Sequence, residues 1–161
     1  MKIKYKGLLT LLFTALLLFL PIKICQAAGT NIAITADHKT VKKGDTVIVS
    51  IYLDSDSLIG DFEGFLSYDA NILEFNNTGG AAAGGEGLVK ITDTGVPKGD
   101  LKRKYALTFQ AKNIGETTFS LTDDTGVYSF EEGEKMSISL NQLKMKVTAD
   151  KSASDNADLK K

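Results

Sequence analysis

The chain has 161 residues, with 19 Lys and Arg against 20 Asp and Glu, one His, one Cys and no Trp. That inventory excludes a Cys/His dyad and the multi-ligand zinc sites that need several His or Cys side chains. Once the N-terminal leader is set aside the balance turns acidic, which disfavours nucleic acid and anionic membrane surfaces as partners.

Residues 1–27 read as a secretory signal peptide. Lys2, Lys4 and Lys6 precede an apolar run, Leu8–Leu20, and the segment closes on Cys25-Gln26-Ala27, with cleavage expected near Ala27 or Ala28. The run is shorter than the roughly 20 residues that span a bilayer comfortably. An uncleaved anchor is the alternative, and only then does the protein contact a membrane. Four of the 19 basic residues (Lys2, Lys4, Lys6, Lys23) fall in the leader, leaving 15 against 20 acids, a net charge of about −5. Cys25 also leaves with it, and Ile22-Lys23-Ile24 is a poor context for lipid attachment there. The expected mature protein is therefore secreted, cysteine-free and dependent on a packed core.

Beyond residue 30 the apolar residues alternate with a period of two, and no long stretch has a helical period. Asn31–Thr35 is a first short strand, followed by a turn at Lys42–Asp45. Thr46–Leu53 is a second, with Val47, Val49, Ile51 and Leu53 on one face, the branched pattern of a half-buried strand. Asp61–Tyr68 is a third, closed by Asp69-Ala70-Asn71, and Ile72–Phe75 follows. Asn76–Gly87, rich in Ala and Gly, reads as a loop. Leu88–Thr92, Tyr105–Ala111 and Thr117–Leu121 are further strands. Met136, Ile138 and Leu140 alternate, and then the parity slips to Leu143, Met145 and Val147. Asn141-Gln142 is accordingly a two-residue hairpin turn or a bulge. Asp150–Lys161 is polar and reads as a disordered tail. The predicted architecture is all-β, a jelly-roll β-sandwich of eight or nine strands over 28–149.

Candidate chemistry is sparse. His38 falls in an early loop and reads as a solvated residue. Asp54-Ser55-Asp56 opens like a calcium loop, but Leu58 and Ile59 stand where a ligand and a glycine are required. Asp123-Asp124 reads as a polar turn, with a hard-cation loop as the sharper alternative. Twenty acids do not by count exclude a carboxylate pair, yet most fall in turns. No enzyme activity and no cofactor are expected. By alternation Tyr105 joins the core, whereas Tyr52 faces away from it, either as a sugar contact or as cover for an outer face.

Three blocks carry a family resemblance: Val41-Lys42-Lys43-Gly44-Asp45-Thr46-Val47-Ile48-Val49; Phe65–Phe75 with its Ser67-Tyr68-Asp69 turn; and Tyr105–Lys112 with Gly115–Phe119. In order and content, over about 30–149, they resemble a cohesin domain. The resemblance implies a nine-stranded jelly roll related to certain carbohydrate-binding modules. It also implies a non-catalytic docking receptor for dockerin modules in extracellular polysaccharide-degrading assemblies. Alternatives are direct polysaccharide binding and a structural, adhesive role at the cell surface.

The dockerin face of cohesins includes the strand that ends in the Tyr-Asp turn. Here Phe62, Leu66 and Tyr68 share the inward parity, while Asp61, Glu63, Phe65 and Ser67 share the outward one. Two acids beside an outward phenylalanine suit a contact stripe, charge for orientation and an aromatic as anchor. The bland reading is that the acids only solvate an outer face. By resemblance the next contact strand lies in Leu88–Gly95, which carries contact roles onto Val89, Thr92 and Gly95. The sequence departs from the family at Gly64, usually bulky, at Ala70, usually proline, and in a shortened, Gly/Ala-rich stretch between Phe75 and Tyr105.

Overall fold

A computed structural model describes residues 29–76 and 80–149. The leader expected over 1–27, the tail expected over 150–161 and residues 77–79 of the expected loop lie outside the described residues. The rest is all-β: β1 (Gly29–Ala36), β2 (Thr40–Lys42), β3 (Thr46–Ser67), β4 (Leu73–Phe75), β5 (Ala82–Gly85), β6 (Leu88–Asp93), β7 (Asp100–Ala111), β8 (Gly115–Leu121), β9 (Gly126–Ser129), β10 (Ser137–Leu140) and β11 (Leu143–Thr148).

The two strands expected at 46–53 and 61–68 are one 22-residue strand, β3. Its first half pairs antiparallel with β1 on one side and β7 on the other. Its second half pairs with β6 on one side, and with β9 and then β8 on the other. One layer is thus β4-β7-β3-β1-β10, and the other is β5-β6-β3-β8-β11-β2 with β9 beside β3. The transfer between layers occurs at 55–58, where the ladder to β7 advances five residues along β3, from Asp54 to Ile59, against two along β7. A strand that switches sheets through such an irregularity makes the corner of a sandwich.

The chain's first and last strands are split in the same way. β10 runs parallel to β1 in one layer, and β11 runs parallel to β2 in the other. Asn141-Gln142 is therefore no hairpin, because the strands on either side of it take different partners. The parity slip read from the sequence is this change of layer. Asn141 fills the gap it leaves: its side chain accepts the Ile34 N–H at 2.6 Å and donates to the Ile34 carbonyl at 3.2 Å. A side-chain amide takes the place of a strand residue, so the ladder of β1 continues past the end of β10.

β2, β5 and β9 are additional to the expected strands while two expected strands merge into β3, so the described residues hold eleven strands against the expected eight or nine. β9 has only Val127 as a buried aliphatic. β5 lies in the Ala/Gly stretch that reads as a loop. It pairs antiparallel with β6, Ala82 opposite Ile91 through Gly85 opposite Leu88. The two-residue turn between them, Glu86-Gly87, has φ of 52° and 96°, the left-handed pair that suits a tight hairpin. Backbone pairing, and not side-chain pattern, makes this strand.

The core between the layers is continuous. Val47, Val49, Ile51 and Leu53 of β3, with Leu107 and Phe109 of β7, meet Val89 and Ile91 of β6, Phe119 of β8 and Met145 and Val147 of β11. Phe109 meets Phe119 across the layers, ring centroids 5.0 Å apart and edge to face, and Tyr68 touches both rings. Each fully buried Phe or branched aliphatic contributes roughly 1.5–3 kcal/mol of transfer free energy.

The departures from the cohesin pattern have local physical reasons. Gly64 is needed because the Phe62 ring folds back over it. A Cβ at 64 would sit 2.6 Å from Phe62 Cζ. The turn that lacks proline is closed by Asp69, whose carboxylate accepts the Asn71 N–H and whose carbonyl accepts those of Ile72 and Leu73. We predict that Gly64→Ala overpacks this site and destabilises the fold by about 1–3 kcal/mol. Urea denaturation checks it, and an unchanged midpoint would show that Phe62 has room to move.

Candidate functional site

The outer face of the β5-β6-β3-β8-β11-β2 layer carries the candidate site. Along β3 and into Tyr68 just past its end, inward Phe62, Gly64, Leu66 and Tyr68 are buried, and Asp61, Glu63, Phe65 and Ser67 are half-exposed. Register brings β6 alongside: Phe65 is opposite Lys90 and Glu63 is opposite Thr92. On the other side Ser67 is opposite Ser120 of β8. The same alternation places Val89 inside, fully buried between the layers. A contact role for the Val89 side chain is therefore corrected, since the outward residues of β6 are Leu88, Lys90 and Thr92. The other six expected positions share one face or its rim.

The polar groups on this stripe largely satisfy one another. Glu63 Oε1 is 3.2 Å from Lys90 Nζ, and that ammonium lies 5.4 Å from the centroid of Phe65. Both ends of the ion pair are more than a third exposed, so it contributes at most about 1 kcal/mol. Its effect is to hold Lys90 over the aromatic ring. Asp61 Oδ1 accepts the Gly95 N–H at 2.9 Å, which pins the loop after β6 to the face. Ser67 Oγ donates to the Ser120 carbonyl and lies 2.9 Å from Ser120 Oγ. Thr92 is exposed, and the Phe65 ring is the largest apolar group of the stripe. Lys90, Thr118 and Ser120 are the residues that sequence reasoning missed. Alternation within β6 and β8 carries a signal for each, but their adjacency to β3 depends on the register.

Elsewhere the candidates remain apart. Tyr52 is exposed on the outer face of the opposite layer, with Lys104 Nζ 5.0 Å from its ring centroid. Hydrogen bonding from Lys104 lowers its pKa, against a smaller opposing effect of desolvation. Its row neighbours are Ala33 and Lys104, so no second ring flanks it there. His38, Asp123 and Asp124 are exposed in turns. Among the described residues no three or more His, Cys, Asp or Glu side chains are grouped to hold a metal ion.

No family model and no curated protein matches the sequence. Solved structures do. A type II cohesin domain from the cellulosome of Acetivibrio cellulolyticus superposes with a TM-score of 0.59 at 12% identity, over 73% of this chain and 95% of that one. The non-cellulosomal cohesin of the archaeon Archaeoglobus fulgidus gives 0.54 at 17% identity, over 80% and 97%. The third cohesin ScaC in complex with the ScaB dockerin, also from A. cellulolyticus, gives 0.59 at 14% identity, over 76% and 99%. The chain has the cohesin fold.

In this cohesin fold the stripe is held at one end by a clamp. Just past the five-against-two irregularity in β3, the carbonyls of Ile59 and Gly60 both turn toward β7. Arg103 of β7 supplies the donors: Nη2 lies 2.7 Å from the Ile59 oxygen and 2.9 Å from that of Gly60. Nη1 lies 3.3 Å from Asp93 Oδ2 at the end of β6, and the same oxygen accepts the Tyr105 hydroxyl at 2.7 Å. The Tyr105 ring, half-buried, stacks on Phe62 with centroids 5.1 Å apart. The corner of β3, the end of β6 and the body of β7 are thereby joined around one nearly buried guanidinium. Its side chain is 7% exposed.

Removing the guanidinium takes the side-chain donor from two carbonyls and the charge partner from Asp93. We predict that Arg103→Met, which keeps the apolar stem, costs about 3 kcal/mol of stability, read by urea denaturation. The tyrosine gives a second test. Burial, and then the hydrogen bond to Asp93, push the Tyr105 hydroxyl well above the usual tyrosine value. Its contribution is therefore complete below about pH 10, where the unfolded phenol begins to ionise, and is lost as pH rises toward the folded value. Between about pH 9 and 12 the wild type should lose stability more steeply than Tyr105→Phe. Parallel slopes would show that this hydroxyl is not held.

Proposed function

We propose that the protein is a secreted, non-catalytic docking module that receives a dockerin-type protein module on the β6-β3-β8 face. The observation that carries the reading is the outward Phe65, set between Lys90 and the Ser67–Ser120 pair on one sheet of a cohesin fold. A central aromatic surrounded by satisfied polar groups is the usual anatomy of a protein-binding patch. Solved neighbours of the same fold support it, since the ScaC cohesin stands in complex with a dockerin. A leader of the secretory kind at residues 1–27 supports export, and an extracellular polysaccharide-degrading assembly is the setting in which such a module acts. Docking needs none of the nucleophiles or metal ligands that the composition lacks.

Direct polysaccharide binding would rest on Tyr52, and a lone ring with Lys104 already over it gives that reading no support of its own. The test is calorimetric titration of the purified protein with a panel of calcium-loaded type I and type II dockerins. At least one should bind, with affinity lost on calcium chelation, and Phe65→Ala should weaken it at least tenfold, the effect of losing an anchor worth about 1.4 kcal/mol or more. Absence of binding across the panel, or binding indifferent to Phe65→Ala, would overturn the proposal.

A further inference from the structure

The two halves of the docking face differ in charge: the stripe on β3 is acidic, and the strands beyond β8 are basic. Glu63 is paired with Lys90, whereas Asp61 accepts the Gly95 N–H and keeps its charge at the rim of the stripe. On the other half of the same face, β11 lies antiparallel to β8, with Lys144 opposite Thr118 and Lys146 opposite Glu116. β2 continues the sheet beyond it, Thr40 beside Lys146 and Lys42 beside Thr148. Leu143, Met145 and Val147 of β11 point into the core, which leaves Lys144 and Lys146 outward. Against them stands Glu116 alone among the outward residues of β8. Its carboxylate is 3.8 Å from Lys146 Nζ, with both side chains more than half exposed. Lys144 has no ion pair among the described residues.

We infer that the partner covers the β8-β11-β2 half of this face with an acidic protein surface. The inference rests on the docking reading and adds the chemistry of the bound side. A cationic strip on a chain whose mature part carries about −5 is a local field against the overall one, and such a strip steers an acidic partner and fixes its orientation. A protein is favoured over an acidic polysaccharide because the outward residues of β8, β11 and β2 are Lys, Thr, Ser and Glu, with no aromatic ring for a sugar to stack on. The strip is also continuous, through Thr118 and Ser120, with the Phe65 stripe.

The test uses a poly-glutamate peptide as probe and amide chemical shifts of the isotope-labelled protein as readout. Supporting results are shifts centred on Thr118, Lys144 and Lys146, binding that weakens with salt, and a loss of roughly tenfold or more in Lys144→Glu/Lys146→Glu. Lys144→Gln/Lys146→Gln should lose less, and Lys102→Glu/Lys104→Glu, on the opposite layer, should lose little. No shifts, or equal losses in the two charge-reversal pairs, would overturn the inference. Tighter binding of polygalacturonate at the same amides would also overturn it, in favour of a polysaccharide. The docking reading fails separately. A dockerin whose binding needs Phe65 but ignores Lys144→Glu/Lys146→Glu sinks the acidic-surface inference alone. Poly-glutamate binding on the strip with no dockerin bound sinks the docking reading and supports an acidic protein partner.

Discussion

Everything about the face depends on β3 belonging to both layers, and β3 can do so only because its corner is chemically closed. Turning a strand out of one sheet into another breaks the ladder and leaves backbone oxygens facing an apolar interior, where an unmet acceptor costs about 1–3 kcal/mol. Arg103 answers two of them, Ile59 and Gly60, from a single planar group. Its remaining charge is balanced by Asp93, and Asp93 is held in turn by Tyr105. Three residues therefore fix where β3 leaves the first layer and where β6 ends beside it. The relative positions of Phe65, Lys90 and Thr92 follow from that.

The same economy of polar groups explains the character of the surface. Glu63, Asp61 and Ser67 each find a partner within the chain, which holds the polar groups of the stripe in place around one aromatic ring. A preorganised patch loses little side-chain freedom on binding, so what it gains from desolvating Phe65 is retained. On the same sheet Lys144 and Lys146 extend from β11, beyond β8. The aromatic ring and the two lysines thus occupy adjacent but separate halves of one sheet.

Much of this is legible from alternation alone. Val47 to Leu53 and Phe62 to Tyr68 fall on the buried side by parity, and they are buried. Asp61 to Ser67 fall on the outer one. What alternation cannot convey is connectivity. Residues 54–58 look like a failed calcium loop in the sequence, and they are the corner between two halves of one strand. β5 is invisible because Ala and Gly have no pattern to show, and its existence depends on hydrogen bonds to β6. β9, four residues long, offers one buried aliphatic. Val89 is misplaced for another reason: a role carried over from a family pattern overrides the local parity, in which Val89 and Ile91 face inward and Lys90 outward.

The paired ends of the domain have a mechanical consequence. β1 is bonded directly to β10, and β2 to β11, both pairs parallel, so Gly29 enters at one end of the sandwich and Thr148 leaves at the other. Tension applied between those two points runs along the strands and across their hydrogen bonds. The bonds must then yield together in shear, where a hairpin-like arrangement would let them open one at a time. Asn141, tied to Ile34 at the junction of β10 and β11, sits in the line of that load. Load applied between the two ends is thus carried by the fold itself.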